Sequence, residues 1–324
     1  MELRAIIRQP GGPEVIEFEE LDLPPPGPGE VRIRHTAIGI NYIDTYHRSG
    51  LYPLPMPSGL GVEAAGVIEA VGEGVTRFKV GDRAGAMGMP LGAYATARNV
   101  SAARLVPLAE GVSDELAAAL LLKGSTTEAM VERCARVQPG QDVLVHAAAG
   151  GVGLLLVQWL KHLGARVIAV VGSEAKAGLA REAGADDVLV AEGDAIAAPV
   201  RELTGGKGVE VCFDGVGKAT WQASLKATAR RGLIVSFGNA SGPVEGVNLG
   251  VLAQHGSLFV TRFTVFDYYL DPAEAAAGAA RLFDLVAGGQ LKVTIGGRYP
   301  LRDAVRAHQD LEARRTTGSN LLIP

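Results

Sequence analysis

Between Val143 and Leu163 the chain runs Val-Leu-Val-His-Ala-Ala-Ala-Gly-Gly-Val-Gly and continues into a mainly apolar stretch. The first residues suit a buried strand, the glycines a tight turn, and the stretch from Leu154 a helix. The spacing Ala148-x-Gly150-x-x-Gly153 is a dinucleotide-binding fingerprint with alanine at its first position. In such a turn Gly150 lets backbone N–H groups approach a pyrophosphate. Gly153 permits close packing of helix on strand, and the helix N-terminus favours negative charge. A purely structural turn uses the same letters, so the setting has to separate the two.

That setting is an alternation of strands and helices. The pattern predicts strands at 142–147, 166–171, 187–190, 209–214, 232–237 and 257–261, with helices at 152–163, 174–183, 195–203 and 218–229. Six strands alternating with helices specify a doubly wound parallel sheet of Rossmann type, so the fold class is α/β. Before it, as far as Leu108, the pattern is β-rich: short period-two runs at 15–18, 31–38, 62–71 and 93–100 are broken by glycine and proline. The first residues look like a strand. The segments 23–29 and 52–58 are proline-punctuated loops. Ser113 is placed to cap a helix. From about Asp271 two helices and a last strand near 320–323 are expected to fold back onto the N-terminal part. The expected domains are 1–122, a β-rich domain; 123–266, the dinucleotide-binding domain; and 267–324, the return.

A content of 48 % hydrophobic and 20 % charged residues describes a chain able to bury a core. The net charge of −4, with basic residues scattered, gives no footprint for nucleic acid. No stretch of 18 or more residues escapes polar interruption, so no membrane insertion is expected, and the start does not read as a secretory signal. A cytoplasmic location follows. Cys134 and Cys212 form no spaced pair and are expected to be buried or half-buried thiols.

Selectivity for NAD usually shows as a carboxylate about 20 residues beyond the turn, at the tip of the second strand. Here that strand ends in Gly172-Ser173, followed by Lys176. A missing carboxylate beside a hydroxyl and a cation suits the 2′-phosphate of NADP, although Glu174 works against it and Lys176 also fits a solvated helix position.

Several segments together resemble one family: Gly39-Ile-Asn-Tyr-Ile-Asp-Thr-Tyr-His-Arg-Ser-Gly-Leu-Tyr-Pro53, Gly59-Leu-Gly-Val-Glu-Ala-Ala-Gly66, Val80-Gly-Asp-Arg83, Ala147-Ala-Ala-Gly-Gly-Val-Gly153, Val235-Ser-Phe-Gly-Asn239 and Gly318-Ser-Asn-Leu-Leu-Ile-Pro324. The chain resembles, end to end, the zinc-free quinone oxidoreductases (zeta-crystallin-like) of the medium-chain dehydrogenase/reductase superfamily, and bacterial NADPH:quinone reductases in particular. The resemblance implies a GroES-like β-rich catalytic domain beside the Rossmann sheet, and NADPH as cofactor. It places Asn41, Tyr46 and Thr126 toward the nicotinamide. Gly151, Val152, Gly172, Ser173 and Lys176 are placed around the pyrophosphate and adenosine ribose. Phe237, Gly238, Asn239, Thr261 and Arg262 lie in loops after the fifth and sixth strands, and Arg314 reaches the cofactor from near the C-terminus. Ala191 stands where the bacterial relatives carry a tyrosine near the 2′-phosphate.

Zinc-dependent alcohol dehydrogenases of the same superfamily use a Cys in the segment matching Ile40–Asp44 and a His just before the glutamate. This chain has Asn41 and Val62 there, so no metal is expected; Asp44, Glu63 and His47 read as structural. The expected reaction is hydride or electron transfer from NADPH to a quinone, with Asn41, Tyr46, Tyr52 and Arg262 as candidate donors to the product anion. Reduction of an enone or another activated double bond uses the same hydride geometry, and a cofactor-binding structural or sensor protein is the alternative outside enzymes. The apolar run Gly256-Ser-Leu-Phe-Val-Thr261 reads as an outermost strand that pairs with its two-fold mate in a homodimer, with Leu258 and Val260 in the seam; the alternative is that Phe266 to Tyr269 and the helix after them cover the edge within one chain.

Overall fold

Alternating apolar and polar residues make the first third a set of strands with one buried face each, as Val31, Ile33 and His35 show along the third strand. The computed structural model describes residues 1–324 apart from the side chain of Pro272. It forms two compact units, one of Met1–Lys123, Asp271–Ala279 and Ile295–Pro324, the other of Gly124–Leu270 and Ala280–Thr294.

Strands β1 (Glu2–Ile7), β2 (Glu17–Leu21), β3 (Glu30–Ile40), β4 (Ser58–Gly59), β5 (Glu63–Val71), β6 (Arg83–Met87), β7 (Ala97–Ser101) and β8 (Leu105–Pro107) belong to the first unit. Helices α1 (Tyr42–Ser49) and α2 (Asp114–Glu128) follow β3 and β8. A small sheet has the order β2-β1-β4. Ser113 Oγ does cap α2, accepting from Leu116 N–H at 3.1 Å.

The second unit contains β9 (Asp142–Val145), α3 (Gly151–His162), β10 (Arg166–Val171), α4 (Glu174–Glu182), β11 (Asp187–Val190), α5 (Ala197–Leu203), β12 (Val209–Asp214), α6 (Trp221–Ala227), β13 (Thr228–Ser236), α7 (Gly250–Gln254), β14 (Phe259–Arg262) and α8 (Val265–Tyr268). Its six strands are all parallel in the order β11-β10-β9-β12-β13-β14, which is the doubly wound arrangement. Strands covered on both faces read as continuous apolar runs, and Val143, Leu144 and Val145 are fully buried. Cys212 lies in this core and Cys134 is half-buried.

Past α9 (Pro272–Ala287) come β15 (Ile295–Pro300), α10 (Ala304–Glu312) and β16 (Ser319–Ile323). The second sheet of the first unit has the order β15-β16-β3-β5-β6-β8, and β7 also pairs with β3, so the last strand does return to the N-terminal sheet.

Three readings need correction. The segment 267–324 does not return whole. Residues 267–270 and 280–294 stay with the Rossmann unit, where Lys292 exchanges two hydrogen bonds with Gln158 and Arg281 pairs with Glu132. Strand β15 escapes the pattern because Gly296 and Gly297 interrupt it; a Cβ on Gly296 would come within 1.9 Å of Thr317 O. The run at 15–18 begins as a helical turn at Pro13–Val15 before β2, and regular pairing in the run at 93–100 starts at Ala97.

Burial displaces the titration of several groups in the first unit. Loss of hydration, reinforced by Arg98 and Arg48 respectively, pulls His35 and His308 down to about 3, whereas loss of hydration pushes Asp44 up to about 7. A histidine kept neutral in the fold stabilises it above its unfolded value of 6.5, and this is lost as pH falls toward 3. Asp44 acts in reverse, costing stability as pH rises from about 4 to about 7. Two histidines outweigh one aspartate, so the thermal midpoint is expected to drop between pH 6.5 and pH 4.5. Asp44→Asn removes the offset and should make the drop steeper. Calorimetry at three pH values checks both, and a flat wild-type profile would contradict the assignment.

Candidate functional site

In the Rossmann unit the chain leaves β9 through His146 and Ala147, whose φ of 51° turns it back over the sheet. Ala148 N–H donates to Val170 O at 3.0 Å, and Gly150 N–H to Ala147 O at 3.0 Å, before α3 begins at Gly151. A Cβ on Gly153 would lie 2.3 Å from Ala147 O and 2.7 Å from Ala148 Cα, so only glycine lets α3 rest on the turn. A Cβ on Gly150 would meet only Ala147 O, at 3.3 Å. The fold therefore demands glycine much less strictly at 150 than at 153. Gly151 and Val152 form the first turn, where helix N–H groups suit an anion.

Asp214, at the end of β12, secures the adjoining loop. Its carboxylate accepts from Val216 N, Gly217 N, Thr220 Oγ1 and Ser224 Oγ at 2.7–3.0 Å. Ser224 gives its single proton to Asp214, so His146 Nε2, 3.0 Å away, is the donor to Ser224 Oγ. Burial pulls the His146 pKa down and keeps the ring neutral.

Two further groups of expected residues stand at the carboxyl ends of the same sheet, the edge where ligands meet open α/β folds. After β10 come exposed Gly172 and half-buried Ser173 and Lys176; Lys176 N–H donates to Ser173 O at 3.0 Å. After β13, Phe237 N–H donates to Asp214 O at 2.9 Å, and a Cβ on Gly238 would fall 2.3 Å from Gly215 O. Arg262 Nη1 donates to Ser236 O at 2.9 Å, and Arg262 Nη2 to the Asn239 side-chain oxygen at 3.1 Å. Thr261 pairs with Val235, so Phe237, Gly238, Asn239, Thr261 and Arg262 are one connected group. Thr126 is half-buried in α2.

In the first unit, Asn41 caps α1 and is buried. Its N–H donates to Asp44 Oδ2 at 2.9 Å, and its Nδ2 to Glu63 Oε2 at 2.9 Å. Glu63 has no exposed surface; Leu122 N–H also donates to it, at 2.6 Å, and Lys123 Nζ lies 3.4 Å away. Asp44 accepts a hydrogen bond from Tyr94, whose hydroxyl meets His308 Nε2 at 3.0 Å, and Arg48 donates to His308 Nδ1 and pairs with Glu312. Tyr46 is buried and packs edge-on against Tyr52, ring centroids 5.2 Å apart, while His47 lies 6.0 Å from Tyr52. Tyr42 donates to Leu311 O at 3.0 Å. Arg314 is exposed, and its charge lowers the Tyr42 pKa against the larger rise from burial.

Tyr46 and Tyr52 thus come together, Asn41 stands at the start of the helix that carries Tyr46 with its side chain turned to Glu63, and Arg262 belongs to the other group. The sequence reading missed Lys123, Asp214 and the carboxylate of Glu192, which approaches Gly172. Asp214 carries a signal, being the polar last residue of an apolar strand ahead of Gly215-Val-Gly217; Lys123 and Glu192 carry none.

The donor set does not fit zinc. Among the described residues no group of three or more His, Cys, Asp or Glu side chains is arranged to hold a metal ion. Around Glu63 the position of a cation is taken by the Lys123 ammonium.

Residues 27–110 match the family model of an alcohol dehydrogenase GroES-like domain, and residues 151–283 that of a zinc-binding dehydrogenase. A quinone oxidoreductase of Pseudomonas aeruginosa is 51% identical over 97% of each chain. A 2-haloacrylate reductase of a Burkholderia species is 42% identical over 100% of this chain and 99% of that one. Among solved structures, the quinone oxidoreductase of Pseudomonas syringae pv. Tomato DC3000 has a TM-score of 0.97 at 52% identity, covering 100% of both chains. That of Escherichia coli complexed with NADPH has a TM-score of 0.96 at 47% identity, covering 99% of this chain and 100% of that one.

The two glycines of the turn should separate in experiment. Gly153→Ala is expected to cost about 1–3 kcal/mol of stability through overpacking. Gly150→Ala should leave the thermal midpoint nearly unchanged and weaken the affinity for a nicotinamide dinucleotide by roughly tenfold, through lost access to the backbone. Calorimetry and fluorescence titration of both variants measure this, and equal stability losses would show that Gly150 is structural.

Proposed function

The chain belongs to the quinone oxidoreductase family of the medium-chain dehydrogenase/reductase superfamily, and we propose that it oxidises NADPH while reducing a quinone, without a metal ion. The observation that carries this reading is the turn from Ala147 to Gly153, which leads into the N-terminus of α3, in a chain alike from end to end to quinone oxidoreductases.

NADPH, when bound, supplies the hydride. Gly150, Gly151, Val152 and Gly153 receive its pyrophosphate at the helix N-terminus. Gly172, Ser173 and Lys176 take the adenosine ribose and its phosphate. Phe237, Gly238, Asn239, Thr261 and Arg262 form the wall beyond, with Arg262 fixing the loop as well as facing ligand. Asn41, Tyr46 and Thr126 are assigned to the nicotinamide, and Arg314 to the outer cofactor.

Quinones accept electrons readily, so the product anion needs only modest stabilisation from hydroxyl and amide donors. Tyr52, half-buried, is better suited to that task than Tyr46, which is only 7% exposed and packed into the core. A second reading, reduction of an activated carbon–carbon double bond, is favoured by the full-length likeness to the 2-haloacrylate reductase. Two free thiols and the absence of any helix long and apolar enough to cross a membrane, among the described residues, are consistent with a cytoplasmic location.

The homodimer belongs to the same proposal. Strand β14 ends the six-stranded sheet, with Phe259 63% and Val260 38% exposed. An edge of this kind is normally paired or shielded, and pairing with a two-fold mate does so in one closed contact. Leu258 is not in that seam: it is 6% exposed and packs into the Rossmann core beside Ile234.

Initial rates with NADPH should be appreciable with simple quinones and unchanged by a chelator. Faster turnover of 2-haloacrylate or an enone than of any quinone would favour the second reading, and stoichiometric zinc by elemental analysis would overturn the metal-free one. Phe259→Lys places an unpaired charge in the seam and is expected to yield monomers by sedimentation, with the thermal midpoint of the monomer preserved. A wild-type chain that sediments as a monomer at micromolar concentration would exclude the dimer.

A further inference from the structure

The tip of β10 lacks a carboxylate of its own, but the fold brings one there from the neighbouring strand. Val171 pairs with Val190 in the parallel register of β10 and β11, and Ala191 N–H donates to Val171 O at 3.2 Å. The next residue, Glu192, therefore stands beside Gly172 and Ser173. Its Oε1 lies 3.3 Å from where a Cβ on Gly172 would be. Ala191 packs against the Rossmann core, so no large side chain from that position covers the tip.

The charges around the tip are mixed. Lys176 brings one positive charge and Glu192 one negative. Glu174 is 78% exposed and only 3.9 Å from Arg181, while Asp194 is drawn to Lys226 at 3.3 Å. A carboxylate at this tip accepts a hydrogen bond from a ribose 2′-hydroxyl, and it repels a 2′-phosphate. Glu192 can do both, although it follows the third strand.

We infer that Glu192 is a specificity-determining residue that offsets Lys176 at the adenosine ribose, so that the chain binds NADH on a par with NADPH. The inference rests on the proposed dinucleotide site but not on the identity of the acceptor. Its prediction concerns binding: the wild-type affinities for NADPH and NADH should lie within about tenfold of each other. Glu192→Gln keeps size and removes the charge, and should shift the ratio toward NADPH by roughly tenfold. Lys176→Ala should shift it the other way.

Fluorescence titration with NADPH and NADH, and calorimetric titration with 2′,5′-ADP and 5′-ADP, read this without any acceptor present. Glu192 is exposed, and unchanged thermal midpoints would confirm that the variants fold. A ratio that Glu192→Gln leaves unchanged, or a wild-type preference for NADPH above a hundredfold, would overturn the inference. Binding of both nucleotides in the expected ratios with no quinone turnover would sustain it while removing the proposed acceptor. Failure to bind either nucleotide would remove both.

Discussion

Glu63 is a carboxylate with no exposed surface, and an uncompensated charge in such a place costs several kcal/mol. Its surroundings are arranged to meet that cost. Leu122 N–H, Asn41 Nδ2 and the Lys123 ammonium converge on its two oxygens from α1 and α2. Gly39 is held to glycine at the same place, since a Cβ there would come within 2.3 Å of both the Ala118 carbonyl oxygen and Glu63 Oε2. The end of β3, the start of α1, the start of β5 and the middle of α2 are therefore tied to one point. Asn41 is held at its backbone N–H by Asp44 and at its side chain by Glu63, which fixes a side chain assigned to the nicotinamide by resemblance.

The Rossmann unit reaches order by different means. Its parallel strands are joined by helices, and the loops at their carboxyl ends are held by backbone contacts that leave no room for side chains, at Gly153 against Ala147 and at Gly238 against Gly215. Asp214 accepts from two backbone N–H groups and two hydroxyls, so the loop after β12 has a fixed path over which Phe237 can lie. Close backbone approach of this kind leaves strand ends open to ligand, whereas the antiparallel unit places its polar groups inside. The two units thus differ: one presents a sheet edge whose loops are set by close backbone contacts, the other a buried polar network that orients a few side chains.

The parallel sheet was legible because its strands are short apolar runs with helices between them as far as β13, and the run from Val143 to Gly153 carries its turn in the letters themselves. The residues named around the strand ends could be placed from the same pattern and the resemblance. What could not be read depends on partners distant in sequence. Lys123 lies in a leucine-rich helix and acquires meaning only when it meets Glu63, 60 residues away. Glu192 lies about twice as far past the glycine turn as the usual carboxylate, and only the register of β10 with β11 brings it beside Gly172. Strand β15 was hidden by two glycines, of which Gly296 is required by the close passage of Thr317 and Gly297 lies against Asn320 Oδ1.

The same distribution of groups bears on the chemistry. Asp44 is pushed up to about 7, as a general acid would need, but its oxygen Oδ2 is engaged by Asn41 N–H and the Tyr94 hydroxyl within the core. Loss of hydration explains the shift, so the value marks burial rather than a proton donor to substrate. The four candidate donors are an amide on Asn41, a guanidinium on Arg262 and the phenols of Tyr46 and Tyr52 in an aromatic setting, none of them a strong acid. A site with weak acids suits acceptors whose reduced forms are stabilised by their own conjugation. Quinones and double bonds activated by a carbonyl or carboxylate share that property. Relatives alike to this chain from end to end are named for a quinone and for a haloacrylate, so the shared scaffold does not by itself select between the two.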